Sequence, residues 1–128
     1  MTGRYLLDTN IVIAVFNGDA LLQRRVLNSP EVFTSIITLG ELHYGACYSQ
    51  CIEANTVRIE QFATTIRILD CDSETARRYG ALKAELRRQG TPIPENDLWI
   101  AALADQHDLT LITRDPHFSV VNDRRESW

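Results

Sequence analysis

Residues 5–16 read YLLDTNIVIAVF, and in this stretch two apolar runs flank an Asp-Thr-Asn triplet. The first run, 5–7, has the length and polarity of a short buried strand that ends at Asp8. The second run, Ile11 to Phe16, predicts a helix that begins near Asn10 and stops at the Asn17-Gly18 pair. A strand that leads directly into a helix is the unit from which α/β sheets are built.

The same alternation continues along the rest of the chain. Strands are predicted at 32–34, 66–69 and 109–112, with a last short strand at 120–121. The helices between them are predicted to begin after the capping residues Asp19 and Ser73, at Thr38, near Glu53 and near Glu95. Short apolar strands separated by helices indicate a mostly parallel sheet with helices on both faces. The predicted fold class is α/β, and a length of 128 residues predicts a single domain, 1–128.

The composition is that of an ordinary globular protein, with 45% hydrophobic and 23% charged residues. No apolar run is long enough for a membrane span and no signal-peptide pattern opens the chain, so we expect a cytoplasmic protein without a membrane partner. A net charge of −4 argues against a protein that coats DNA. Twelve of the thirteen basic residues are Arg, which reflects either codon usage or phosphate recognition.

Four carboxylates stand where an α/β sheet places its working residues. Asp8 and Asp115 follow the carboxyl ends of predicted strands, whereas Glu41 and Asp97 lie in apolar helical segments. Each has an ordinary alternative: Asp8 as a helix cap, Glu41 in a capping box with Thr38, Asp97 beside its helix dipole, and Asp115 as a turn former. Four separate capping roles would not require all four acids to meet in one crevice.

Four converging carboxylates require a cation, because like charges a few ångströms apart repel strongly away from bulk water. Only Arg114 stands directly beside one of these acids in the sequence. Carboxylate oxygens suit Mg²⁺ or Mn²⁺, the ions that proteins use with phosphate substrates. The pattern therefore predicts metal-assisted phosphoryl chemistry.

Four segments in order resemble the PIN-domain ribonucleases, and closely the VapC-type toxins of bacterial toxin–antitoxin pairs. They are YLLDTNIVI at 5–13, SIITLGELHYG at 35–45, IPENDLWIAA at 93–102 and LITRDPHF at 111–118. The resemblance implies a PIN-like three-layer sandwich and a Mg²⁺- or Mn²⁺-dependent endoribonuclease that acts as a toxin on RNA. It also implies a small antitoxin as partner, and a homodimer.

The resemblance further implies the acidic quartet Asp8, Glu41, Asp97 and Asp115 as catalytic residues and metal ligands, with Asp8 and Asp97 the surest ligands. It implies Thr9 and Thr113 as supporting hydroxyls, and the position of Arg114 favours it for guiding RNA. The chain departs from the pattern at Glu95, where members often carry Gly or Ala, and at His117, where many carry a second acid. The His117 departure leaves room for a reduced second metal site.

Other functions fit the sequence less well. A response-regulator receiver domain needs a second acid after the first strand and a Lys after a late strand, but Thr9 follows Asp8 and the single Lys, Lys83, lies within a helix. A PIN-like domain that binds RNA or a partner without cutting, and a housekeeping RNase without a toxin role, remain as alternatives. A further alternative is a zinc site formed by His43, Cys47 and Cys51, which are spaced at i, i+4 and i+8. The ordinary explanation of the same spacing is that these side chains pack on one face of a helix.

Overall fold

The computed structural model describes residues 3–121 and 124–128, and a parallel sheet forms its centre. Its strands are β1 (Arg4–Leu7), β2 (Glu31–Ser35), β3 (Arg67–Leu69), β4 (Thr110–Ile112) and β5 (Arg125–Glu126). Across the described ranges they pair in the order β3-β2-β1-β4-β5, and every pair is parallel. Because β1 lies between β2 and β4, the residues that follow these three strands emerge side by side at one edge of the sheet.

Helices connect the strands. They are α1 (Thr9–Phe16), α2 (Ala20–Asn28), α3 (Ile36–Cys47), α4 (Ile52–Thr65), α5 (Ser73–Gln89) and α6 (Glu95–Gln106), and a 3₁₀ turn spans Pro116–Val120. Among the helices described, none has the length and apolar character needed to cross a membrane.

Alternation along the central strands divides the core into two layers. On β1, Leu6 belongs to the cluster formed with α6, whereas its neighbour Leu7 belongs to the cluster formed with α1, α2, α3 and α4. On β4, Leu111 belongs to the same cluster as Leu6, and Ile112 belongs to the same cluster as Leu7. Successive side chains of a strand point to opposite faces, so helices cover both sides of the sheet. The predicted three-layer α/β sandwich is confirmed.

The helix that carries Asp97 is among the most deeply buried parts of the chain. Leu98 and residues 100–104 of α6 are all at most 3% exposed, as expected for a helix that is apolar nearly all round. Gly90 ends the preceding helix in the left-handed conformation, at φ 73°, and Pro94 lies at the N-cap of α6. The start of α6 at Glu95 matches the prediction, and it places Asp97 in the first turn of the helix.

Two predicted helix starts are wrong. Helix α3 begins at Ile36, because the hydroxyl of Ser35 accepts the backbone N–H of Thr38 and caps the helix two residues earlier than expected. Thr38 is therefore inside the helix, and the proposed capping box with Glu41 does not form. At α5 the cap is Asp72 rather than Ser73, since the Asp72 carboxylate accepts the N–H of Thr75 and closes a capping box.

The strand predicted at 120–121 is also wrong. Asp115 caps a 3₁₀ turn that Pro116 opens, and this turn runs to Val120. The last strand is Arg125–Glu126, which pairs with Leu111 and Ile112. Both β5 residues are exposed, so no apolar pattern marks the strand in the sequence.

Candidate active site

Asp8 lies at the centre of the edge where the strands end. It follows β1, is 4% exposed, and caps α1 by accepting the N–H of Thr9 at 2.8 Å. Burial raises the pKa of Asp8, and the charges of Glu41 and Asp115 act in the same direction, against hydrogen bonds from Thr113 and Thr9. The ordinary capping role is thus real, but it does not remove the electrostatic strain on this carboxylate.

Thr113 connects two of the acids. It follows β4 and is buried, and its hydroxyl donates to Oδ2 of Asp8 at 2.7 Å while accepting the backbone N–H of Asp115 at 3.0 Å. Because β1 and β4 are neighbours, the positions just after them are within hydrogen-bonding reach of one another. This single hydroxyl fixes Asp8 relative to the loop that carries Asp115.

Glu41 is held from the other side of Asp8. The hydroxyl of Thr9 donates to Oε1 of Glu41 at 2.7 Å and lies 3.1 Å from the hydroxyl of the buried Thr38. Since α3 begins at Ile36, Glu41 is one turn into the helix, where its side chain reaches α1 rather than the start of its own helix. The contact brings the Glu41 carboxylate next to the Asp8 turn.

Asp97 has the most strongly shifted carboxyl group of the quartet. Its side chain is 14% exposed, and its pKa is raised to about 6, first by burial and then by the charges of Asp8, Asp115 and Glu41. The charges of the other three acids act on Asp97 because all four lie near one another where the strands end. This cluster of four acids is called the acidic pocket below, although three of its members also occupy ordinary helix-start or turn positions.

Arg114 does not point into this pocket. Its guanidinium donates to the backbone oxygen of Trp128 at 2.7 and 3.0 Å and forms an ion pair with Asp19 at 3.3 Å. Its backbone N–H donates to Asn10. Arg114 therefore does not balance the negative charge of the four acids, and another cation is needed for that.

Two neighbours of the quartet were not predicted to take part in the site. The Asn10 amide donates to Oδ2 of Asp8 at 3.2 Å, and His117 places Nδ1 3.0 Å from Asp115 and 3.8 Å from Asp97. Asn10 belongs to the Asp-Thr-Asn triplet at residues 8–10, and this closeness to Asp8 in the sequence indicates a place near the site. For His117 the sequence offers only that related chains often carry an acid at this position, because the side chain is directed by a 3₁₀ turn that the sequence does not predict.

The zinc alternative is not supported by the geometry. Helix α3 ends at Cys47, and Cys51 lies beyond it at the N-cap of α4, so the three residues do not share one helical face. Both cysteines are exposed. Among the described residues, the group of three candidate ligand atoms within 4.8 Å of one another is Asp97, Asp115 and His117.

Comparison with known proteins identifies the family of this chain. A model of the PIN domain matches residues 5–123. The chain belongs to the PIN domain family. It is 40% identical to "Ribonuclease VapC2" of Haemophilus influenzae over 98% of each chain, and 39% identical to the "tRNA(fMet)-specific endonuclease VapC" of Shigella flexneri, also over 98% of each. The family predicted from the four sequence segments is confirmed.

A solved structure extends the likeness to three dimensions. The crystal structure of DNA-bound VapBC from Salmonella typhimurium contains a chain that superposes on this PIN domain with a TM-score of 0.91 at 34% identity, over 99% of each chain. With the fold shared over the full described length, the acidic pocket lies at the carboxyl edge of a PIN-domain sheet.

The donor set of the pocket fits the divalent ion that the family implies. It consists of carboxylate oxygens, two of them on acids whose pKa is raised, with one imidazole nitrogen at the rim. Ions such as Mg²⁺ and Mn²⁺ bind such oxygens, and their charge would offset both the burial and the nearby acids that raise the pKa of Asp97. Asp97, Asp115 and His117 place ligand atoms within 4.8 Å of one another, and Asp8 and Glu41 are near enough for their charges to act on Asp97.

Proposed function

We propose that this PIN domain is a Mg²⁺- or Mn²⁺-dependent endoribonuclease that hydrolyses RNA phosphodiester bonds in the cytoplasm as the toxin of a toxin–antitoxin pair. The observation that carries the proposal is the meeting of the four acids at one edge of the sheet, where burial and then the charges of the other three acids raise the pKa of Asp97 to about 6. Such a pocket repels a phosphate unless a metal ion lies between them. The names of its relatives, a ribonuclease and a tRNA endonuclease, support RNA as the substrate.

In this proposal the acidic quartet binds the metal ion, with Asp8 and Asp97 as the main ligands and Glu41 and Asp115 as further ones. When bound, such an ion polarises the phosphate and lowers the pKa of the attacking water. Thr113 holds the Asp8 carboxylate by its hydrogen bond, and Thr9 holds that of Glu41. Both threonines therefore fix the direction of carboxylates rather than react themselves.

Guidance of RNA by Arg114 stays a prediction. Arg114 precedes Asp115 in the sequence, but its guanidinium binds Asp19 and the backbone of Trp128. To contact a phosphate it would have to exchange these partners. An exposed ion pair contributes little, about 1 kcal/mol or less, so such an exchange costs little.

Purified protein is expected to cut single-stranded RNA in the presence of Mg²⁺ or Mn²⁺ and to stop when EDTA is added. The reason is that four carboxylates without a bound cation present only negative charge to the phosphate. Gel electrophoresis of a labelled RNA, with excess Mg²⁺ restored after the chelator as control, measures the effect. Cleavage that continues undiminished in EDTA would contradict the metal-dependent mechanism.

A cognate antitoxin is proposed as the protein partner, because the similar solved structure is a VapBC complex. The surface next to the pocket suits a peptide inhibitor. An apolar groove between α1, α3 and α4 opens beside Glu41, lined by Ile13, Phe16, Leu42 and Ile59. An amphipathic segment in this groove could place an Arg or Lys into the acidic pocket and so replace the charge of the metal ion.

We also propose a homodimer, since the α3 region presents apolar groups to water. Ile36, Tyr44 and Tyr48 are 41%, 65% and 78% exposed, and the two tyrosine rings contact each other. Light scattering is expected to give about twice 14.6 kDa, and Tyr44→Asp is expected to shift the mass toward the monomer. A strictly monomeric protein at micromolar concentration would contradict the proposal.

A further inference from the structure

His117 lies at the rim of the acidic pocket with one ring nitrogen directed at two of the acids. Its Nδ1 is 3.0 Å from Oδ1 of Asp115 and 3.8 Å from Oδ2 of Asp97. The side chain is 58% exposed, so packing in the core does not explain why the ring lies there. The position of the ring has to be explained by the two carboxylates that Nδ1 faces.

Holding Asp115 in place is a weak explanation. The same carboxylate oxygen already accepts the backbone N–H of His117 at 2.9 Å, and the backbone N–H of Asp115 is bound by Thr113. The turn itself therefore orients Asp115, and any residue at 117 would supply the backbone hydrogen bond. The imidazole adds something that the backbone does not, namely a ring nitrogen close to two carboxylates.

The distances fit three ligands of one ion. Atoms on adjacent corners of an octahedron are about 3.0 Å apart when each lies about 2.1 Å from the metal, and atoms on opposite corners are about 4.2 Å apart. The two separations at Nδ1, 3.0 and 3.8 Å, lie within this range. All three ligand atoms are within 4.8 Å of one another.

We propose that His117 is a nitrogen ligand of the metal ion, together with Asp97 and Asp115, and that it directs the pocket toward Mn²⁺ in preference to Mg²⁺. Mg²⁺ is bound almost entirely through oxygen, whereas imidazole suits transition metals. A neutral ring that carries its proton on Nε2 presents Nδ1 as the donor atom. The inference rests on the proposed metal-dependent function and specifies which ion that function uses.

The test measures metal binding directly, without RNA. Calorimetric titration with Mn²⁺ alone and with Mg²⁺ alone gives the two dissociation constants for the wild type, His117→Ala and His117→Asp. Even residues outside the ligand shell affect metal affinity by about 10- to 100-fold, so His117→Ala is expected to weaken Mn²⁺ binding at least about tenfold. His117→Asp restores an all-oxygen site and is expected to lower the preference for Mn²⁺ over Mg²⁺ by about tenfold.

Pulsed electron paramagnetic resonance of the Mn²⁺-loaded protein distinguishes a ligand from a positioning residue. Wild type is expected to show coupling of the manganese electron to a ¹⁴N nucleus, and His117→Ala is expected to lose it. His107→Ala is the matched control: His107 follows the last residue of α6, about 15 Å along the helix from Asp97, and its replacement is expected to leave the coupling unchanged.

Three results would overturn the inference. One is Mn²⁺ binding in the wild type without nitrogen coupling. Another is an equal loss of Mn²⁺ and Mg²⁺ affinity in His117→Ala with the coupling retained. The third is an unchanged metal preference in His117→Asp. None of these would affect the proposed nuclease function, which fails separately if RNA cleavage persists in EDTA.

Discussion

Asp97→Asn is expected to slow RNA cleavage at least about a hundredfold, since removing a direct carboxylate ligand should cost no less than the 10- to 100-fold that more distant substitutions cost. The same variant, freed of metal, is expected to melt at the temperature of the wild type or above it. Loss of activity without loss of stability separates a functional carboxylate from one that serves the fold. Cleavage assays and thermal melts in EDTA measure the two effects.

Two opposing contributions decide the sign of the stability change. Asp97 lies in the first turn of α6, where the helix dipole favours a negative charge by at most about 1 kcal/mol. Burial and the other three acids disfavour that charge. The rise in pKa from 3.8 to about 6 limits the free-energy cost of the charged carboxylate to about 3 kcal/mol at neutral pH. The unfavourable contribution is larger, so an uncharged Asn is tolerated or stabilising.

The pH dependence follows from the direction of the pKa shift. The folded protein holds the Asp97 proton more tightly than the unfolded chain does, so this group stabilises the metal-free protein fully below about pH 4. Its contribution is lost as the pH rises to about 6 and beyond. In Asp97→Asn this decline is expected to be smaller, although Asp8, whose pKa is also raised, continues to contribute to it.

Asp105→Asn is the matched control, because Asp105 lies on the same helix, is 65% exposed, and forms an ion pair with Arg78. It is expected to retain full activity and to change stability by less than about 1 kcal/mol. A large drop in the melting temperature of Asp97→Asn at neutral pH would instead assign Asp97 an ordinary structural role at the start of α6.

The sequence predicts the sandwich well because its central elements carry strong, unambiguous patterns. The apolar run before Asp8 and the run at 109–112 are buried on both faces, and burial on both faces excludes polar residues from a strand. Helix α6 is identified equally well, since its central residues are apolar and buried and Pro94 marks its start. These features depend on local composition, which the sequence displays directly.

The boundaries and the last strand depend on contacts that the sequence does not display. Ser35 and Thr38 are both good caps, and the choice between them is set by where β2 ends in the sheet. β5 is a two-residue exposed segment that is a strand only because β4 offers it an unpaired edge. Local sequence propensity predicts neither the end of β2 nor the pairing of β5 with β4.

The candidate site divides in the same way. The four acids could be found because each follows a strand or lies in apolar surroundings where a carboxylate is unusual. The direction of Arg114 could not, since its partners Asp19 and Trp128 are distant in sequence. The sequence marks position 117, where related chains often carry an acid, but the distance from His117 to Asp97 depends on how the turn after β4 packs against the start of α6.

Expression of the chain alone in bacteria is expected to arrest growth, and Asp8→Asn is expected to be harmless. The proposed reaction needs only RNA, water and a divalent ion, all of which the cytoplasm always supplies, so restraint has to come from a partner. Asp8 is buried between Thr113 and Asn10, and Asn at this position keeps the shape while removing the charge that binds the metal. Colony counts and growth curves after induction, with equal protein amounts confirmed by immunoblot, measure the difference.

Co-expression with the proposed cognate antitoxin is expected to restore growth, since an antitoxin that binds near Glu41 and inserts a cation would occupy the metal position. Sequencing of RNA ends soon after induction would then identify the RNA that is cut, and Asp8→Asn supplies the background. If the wild type is harmless at high expression while the purified protein cleaves RNA, the toxin role is wrong. In that case the acidic pocket belongs to a housekeeping RNase, because the chemistry of the four carboxylates does not depend on whether the cell survives their action.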